Sequence, residues 1–218
     1  MKIGHLGVCA LLLTAAGCNS EERVRIKGSG VAKTEARQVA AFSKVDLLGV
    51  GRLELRTGPL GSVEVTADDN ILPVLETRVE GDRLVIRPTE KAIKPVVGIV
   101  IKATAPNIES VQCAGAASVA LEGVANDKLV LVLTGAGKAL VSGSTAALDV
   151  TMNGAGSLEA GDLQAKTAEI EINGAGEADV HVLENLKVVI KGTGKVRYAG
   201  DPQVERSVIG IGTISRKE

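Results

Sequence analysis

Aromatic side chains are almost missing from this 218-residue chain, which has one Phe, one Tyr and no Trp. An outer-membrane β-barrel needs aromatic girdles at both interfaces, so that architecture is excluded. Platforms that stack sugars or bases also need aromatic faces, and only Phe42 and Tyr198 are available. Histidine is as scarce, with His5 and His181 alone. Neither sign of charge dominates: the formal net charge is −1, which leaves no electrostatic footprint for nucleic acid. What is present is 26 glycines, 45% hydrophobic residues and 23% charged residues. That balance is too apolar for a disordered chain. It fits a folded, repetitive β scaffold and weighs against most enzyme chemistry.

The N-terminus reads as an address rather than as fold. Lys2 supplies a positive start, and Leu6–Leu13 is an apolar run too short to span a bilayer. Ala15-Ala16-Gly17 then leads into Cys18, a pattern that resembles a bacterial lipobox, with Ala15 where Leu is usual. Residues 1–17 are therefore expected to be a signal peptide. Cys18 is the expected lipidation site, and residues 18–27 form a short tether. Two or more acyl chains hold a protein on a membrane where one does not, so the membrane is an expected partner through the lipid anchor. The expected location is the cell envelope, at the outer membrane or the periplasmic face. Cys9 leaves with the signal and Cys18 is acylated, which leaves Cys113 with no disulfide partner in the chain.

An internal repeat organises the rest. Gly-x-Gly returns at Gly135-Ala136-Gly137, Gly154-Ala155-Gly156, Gly174-Ala175-Gly176, Gly192-Thr193-Gly194 and Gly210-Ile211-Gly212. First glycines are separated by 19, 20, 18 and 18 residues, and Gly115-Ala116-Ala117 is a degenerate earlier copy. Apolar residues alternate before each pair (Leu131 and Leu133, Val150 and Met152, Ile170 and Ile172, Val188 and Ile190). They alternate after it as well (Ala139 and Val141, Leu158 and Ala160, Ala178 and Val180, Val196 and Tyr198). Each unit thus reads as two strands with one buried face, joined by a bend. A hairpin meander could alternate in this way, but it does not hold the unit length constant. A β-helix does, because each coil advances by one strand spacing. The expected fold is all-β: a right-handed parallel β-helix-like solenoid with about 18–20 residues per rung. Its glycines serve as turns that supply φ > 0 and allow stacked backbones to approach.

The repeat makes two local expectations. Cys113 occupies the inward phase of Leu133 and Ile172, so it reads as a small buried apolar residue. Asn153 and Asn173 precede their glycines and either form a ladder of amide hydrogen bonds or simply tolerate a turn. The N-terminal half is less regular. Val45 and Leu47, Gly49-Val50-Gly51, then Leu53 and Leu55 share the same grammar. Further strands are expected at 62–66, 83–86 and 96–101, with a loop over Thr89–Pro95. Asp68-Asp69-Asn70 reads as the cap of a short helix starting near Ile71. No linker interrupts residues 28–218, which are taken as one domain.

Phe42-Ser43-Lys44-Val45-Asp46, Gly49-Val50-Gly51 and the two Asn-Gly-Ala-Gly elements at 153–156 and 173–176 together resemble the bacterial GIN domain, the head domain named for auto-transporter adhesins. The resemblance runs from about Gly28 onward and rests on repeat grammar. It implies a secreted or envelope-anchored β-helical domain and carries no catalytic residues with it. The lipobox marks a departure from that family's pattern, since a lipoprotein is not expected to carry an auto-transporter's translocating barrel.

Other motifs point elsewhere only weakly. Phosphate-cradling glycines are followed by a helix, whereas each copy here is followed by strand alternation. A calcium-binding nonapeptide needs Asp two residues after its last Gly, and Ala178 stands there, with Asp179 one step late. His181 falls in the outward phase beside Asp179 and reads as a surface residue. No catalytic, cofactor or metal site is expected. The leading reading is a non-enzymatic envelope lipoprotein that binds an unidentified protein or surface polymer. One alternative is a polysaccharide-active enzyme, marked by a cleft of convergent acids. The other is a self-assembling homo-oligomer, marked by an outward apolar stripe such as Val130, Val132 and Val189.

Overall fold

The computed structural model describes residues 26–89 and 92–217. The expected signal peptide, Cys18 and most of the expected tether lie outside these residues. The elements, in chain order, are β1 (Ile26–Lys27), β2 (Ala32–Arg37), β3 (Lys44–Thr57), β4 (Val63–Asp68), a 3-10 turn (Leu72–Val74), β5 (Leu75–Glu80) and β6 (Arg83–Pro88). They continue with β7 (Ile93–Lys94), β8 (Val100–Ala105), β9 (Ser110–Gly135), β10 (Lys138–Gly154), β11 (Ser157–Ala199) and β12 (Gln203–Arg216). The fold is all-β. A large mixed sheet runs in the order β12-β11-β10-β9-β3-β8-β4-β2, with β6 pairing on β3 and β5 on β6. A second, two-stranded sheet joins β1 to β7.

Sequence period becomes spatial register in the C-terminal half. Val150 sits beside Leu131 on β9 and Ile170 on β11, and Gly154 sits beside Gly135 and Gly174. Gly192 and Gly194 pair with Gly210 and Gly212 on β12. Every one of these pairings is parallel. Gly49 pairs with Gly115 across β3 and β9, so the N-terminal copy of the motif enters the same stack. Each repeat therefore presents its apolar alternation to one interior. Leu131, Val150, Ile170 and Val188 are all 2% exposed or less. Burying such a side chain contributes about 1.5–3 kcal/mol relative to leaving it in water, so each repeat adds a similar increment of hydrophobic stabilisation.

β11 extends over 43 residues, which as one straight strand would reach roughly 140 Å. It bends instead. Lys187 Nζ lies 2.6 Å from Glu169 Oε1 and Arg197 Nε lies 2.6 Å from Asp179 Oδ1, so residues 18 apart on the same element are neighbours. Within it Gly174 and Gly192 have positive φ, 134° and 129°. This corrects one sequence expectation. The glycines at 174–176, 192–194 and 210–212 lie inside continuous strands, whereas only the pairs at 135–137 and 154–156 interrupt the strand.

The N-terminal half departs further from the sequence reading. Asp68, Asp69 and Asn70 do not cap a helix: the 3-10 turn starts after Ile71 with no side-chain cap. The Asp68 carboxylate, fully buried, turns the other way. It accepts backbone N–H bonds from Gly30 (2.7 Å), Val96 (3.0 Å) and Val97 (3.1 Å). Those bonds explain why Val96 and Val97 form a bend and the strand expected at 96–101 begins only at Val100. The loop expected over Thr89–Pro95 contains β7, and its pairing with β1 extends the ordered body back to Ile26. β2 and β5 were not expected, because their charged residues hide the alternation that marks a strand. Phe42 is buried in the core.

Candidate binding face

The two glycines of each repeat are required for different reasons. The first of each pair has a positive φ: 105° at Gly135, 127° at Gly154, 134° at Gly174, 129° at Gly192 and 126° at Gly210. A Cβ built on Gly154 would come 2.5 Å from the carbonyl oxygen of Gly135, and the same collision with the preceding repeat recurs at Gly174, Gly192 and Gly210. Backbone cannot retreat from such a contact, so neither φ nor space admits a side chain. The second glycines, Gly137, Gly156, Gly176, Gly194 and Gly212, are not in the positive-φ region, contrary to the expectation that both supply it. They are held by packing instead. A Cβ on Gly176 would lie 2.6 Å from Met152 Cε, and one on Gly194 would lie 3.0 Å from Ile190 Cγ2.

Between the glycines, one exposed residue per repeat points outward. Ala116, Ala136, Ala155, Ala175, Thr193 and Ile211 follow one another along the stack and floor an open groove of about 690 Å³. Lys138, Glu177 and Lys195 stand along one wall. The floor is mostly apolar, with the Thr193 hydroxyl among the alanines, and the wall carries both signs of charge.

Cys113, Asp179 and Glu171 are each held by their surroundings. Cys113 is 2% exposed, as its inward phase requires. Burial, reinforced by the charge of Asp46, pushes its thiol up to about 12, so it stays protonated and inert. His181 is half-buried between buried Val180 and Val182. Its neighbour Asp179 is held by Arg197, whose Nε and Nη2 donate to the two carboxylate oxygens at 2.6 Å each, so it does not orient the imidazole. Lys191 Nζ donates to Glu171 Oε1 at 2.6 Å, and this bond, with help from Asn173, holds the Glu171 carboxyl below the usual range. A general acid needs the opposite shift. Among the described residues no group of three or more His, Cys, Asp or Glu side chains is arranged to hold a metal ion.

Asn173 Nδ2 donates to Asn153 Oδ1 at 3.0 Å, so the amide ladder forms across one rung step. The outward apolar stripe expected at Val130, Val132 and Val189 is half-buried. Exposed apolar bulk collects elsewhere, at Val208, Ile209 and Ile211 on β12. Alternation alone could not reveal this, because β12 repeats the same pattern as segments with a neighbouring strand on both sides. The Asp68 anchor was also missed. Its signal, three polar residues at a strand end, fits a helix cap equally well. No helix among the described residues is long and apolar enough to cross a membrane.

Comparison with known proteins adds independent information. The family described as "Putative auto-transporter adhesin, head GIN domain" matches residues 41–202. A solved structure of a "putative adhesin" from Bacteroides fragilis is 21% identical, with a TM-score of 0.69, covering 88% of this chain and 100% of that one. A "putative lipid binding protein" from Parabacteroides distasonis is also 21% identical, with a TM-score of 0.58, covering 89% of this chain and 100% of that one. A third, a "putative adhesin" from Parabacteroides merdae, is 19% identical with a TM-score of 0.56, covering 89% and 99%. At these identities the likeness establishes a shared fold. No protein with a curated function matches this chain.

Proposed function

The chain belongs to the GIN-domain family of auto-transporter adhesin heads, and from that premise we propose that it is a non-enzymatic, lipid-anchored binding protein of the cell envelope. In this reading Cys18 carries the lipid and residues 18–27 are the tether. Residues 28–218 wind as a right-handed parallel β-helix whose outward faces meet a protein or surface polymer.

One observation carries the proposal: neighbouring segments from β9 to β12 pair in parallel at an offset of one sequence repeat. A chain that returns to run in the same direction after 18–20 residues has to travel around a circuit, and the glycine bends supply its corners. Stacked circuits give long, flat outward faces without a deep cleft, which favours adhesion over turnover. The groove over the Gly-x-Gly corners is the leading contact surface, since its apolar floor and mixed-charge wall suit a partner that spans several rungs.

Two measurements test this reading. Metabolic labelling with a fatty acid should mark the wild-type protein and leave Cys18→Ser unlabelled and released from the membrane fraction. A pull-down from envelope extracts, run beside a polysaccharide-degradation assay, should recover a bound component without polymer cleavage. Cleavage without a bound component rejects the proposal.

A further inference from the structure

The two ends of the large sheet are finished differently. β2, at one end, carries Lys33, Glu35 and Arg37, whose side chains pair along the strand (Lys33 Nζ to Glu35 Oε1, 3.0 Å; Arg37 Nη2 to Glu35 Oε2, 3.5 Å). Charges placed in this way discourage edge-to-edge pairing. β12, at the other end, pairs only with β11 among the described residues. Its outer edge therefore presents N–H and C=O groups at alternate residues with no strand to receive them. The same strand bears Ile209 and Ile211, 66% and 78% exposed, the two most exposed large apolar side chains of the described residues.

We propose that β12 pairs antiparallel with β12 of a second copy of this chain, about a two-fold axis through the bend at Gly210. This deepens the reading of the chain as a displayed binding head by naming a partner, and it rests on that reading only for its cellular meaning. The strand is complementary to itself. With the axis through Gly210, Ile209 faces Ile211 of the partner subunit, so exposed apolar side chains that share one face of the strand meet each other. Symmetry repeats the contact with Ile211 facing the partner's Ile209. The bend, with φ of 126° at Gly210, divides β12 into two arms, and a two-fold axis through the corner lays each arm on the other copy's opposite arm. Pairing β12 with β2 would instead give an open string of copies, which the charged β2 edge opposes. Because β2 lies at the far end of the sheet order, the dimer directs the two N-terminal regions away from each other. That arrangement suits copies displayed on facing surfaces.

Sedimentation of the purified full chain should give twice the chain mass, with no growth beyond it as concentration rises. Ile209→Lys with Ile211→Lys should raise the dissociation constant roughly tenfold or more, since charge on an edge strand opposes pairing. Both side chains are exposed, so an unchanged melting transition will show that the fold survives. Liposomes carrying the chain by its N-terminal region should cluster with wild type and stay dispersed with the double Lys variant. A single-chain mass at every concentration, open-ended growth, or a dimer indifferent to these substitutions overturns the pairing. A solution dimer that leaves liposomes dispersed overturns the facing-surface arrangement. Failure of either arm is distinct from failure of the envelope pull-down, which concerns partners other than this chain.

Discussion

Residues 110–216 and residues 26–105 share one strand grammar and solve the problem of closure differently. In the C-terminal region each segment pairs in parallel with its sequence neighbour, glycine beside glycine, and its interior is a column of Val, Ile, Leu and Ala. In the N-terminal region the pairings alternate between parallel and antiparallel, and β3 alone contacts β6, β8 and β9. The repeated region is held by a periodic interior and by backbone proximity at its glycines. The mixed region needs single, specific polar anchors, of which Asp68 is the clearest. Both regions bury a core of apolar side chains; the mixed region adds a buried carboxylate that joins segments distant in the chain.

The sharpest way to break this contrast is at a corner. Gly154→Ala places a Cβ against the carbonyl of Gly135 and also strains φ, so unfolding experiments should record a loss of at least about 3 kcal/mol. Gly81→Ala, in the N-terminal half, has φ of 65° and nothing within 4 Å, so it should lose only about 1–2 kcal/mol. Equal losses would mean that backbone proximity contributes nothing. Ile170→Ala removes a fully buried side chain from the column and should lose about 2–5 kcal/mol by denaturant titration.

Asp68→Asn probes the mixed region. Burial alone would push the Asp68 carboxyl up, but the N–H bonds from Gly30, Val96 and Val97 outweigh it and hold the group below its ordinary range. A folded-state value depressed in this way stabilises the fold at pH above the unfolded carboxyl value. That contribution is lost as pH falls through the folded value. Wild type should therefore lose more stability than Asp68→Asn between neutral and acid pH, with amide exchange rising first around residues 28–31 and 95–98. Identical pH profiles for the two proteins would remove the anchor. The smallest effect is expected at Asn173→Ala, which deletes one amide bond to Asn153 and should lower stability by about 1 kcal/mol. An unchanged melting temperature would mean that the ladder is incidental.

Legibility followed the same divide. The inward phase of Leu131, Val150 and Ile170 and the burial of Cys113 could be read directly, because a side chain's face in a strand depends only on its parity. The N-terminal strands were harder to read. Ala-Lys-Thr-Glu-Ala-Arg of β2 looks solvated, and only its partner β4 makes it a strand. At the corners, sequence marked the glycines without distinguishing their roles. Whether φ or a neighbouring Met152 forbids a side chain depends on what the adjacent rung places there.

The amino-acid order by itself determined the all-β class, the unit length and which residues face inward, since all three depend on local alternation and spacing. Tertiary structure alone decided that Asp68 ties the Gly30 and Val96–Val97 segments together, that the second glycines answer to packing, and that β12, among the described residues, pairs on one side only. Each of these depends on which residues distant in the chain become neighbours, and a one-dimensional pattern does not contain that information.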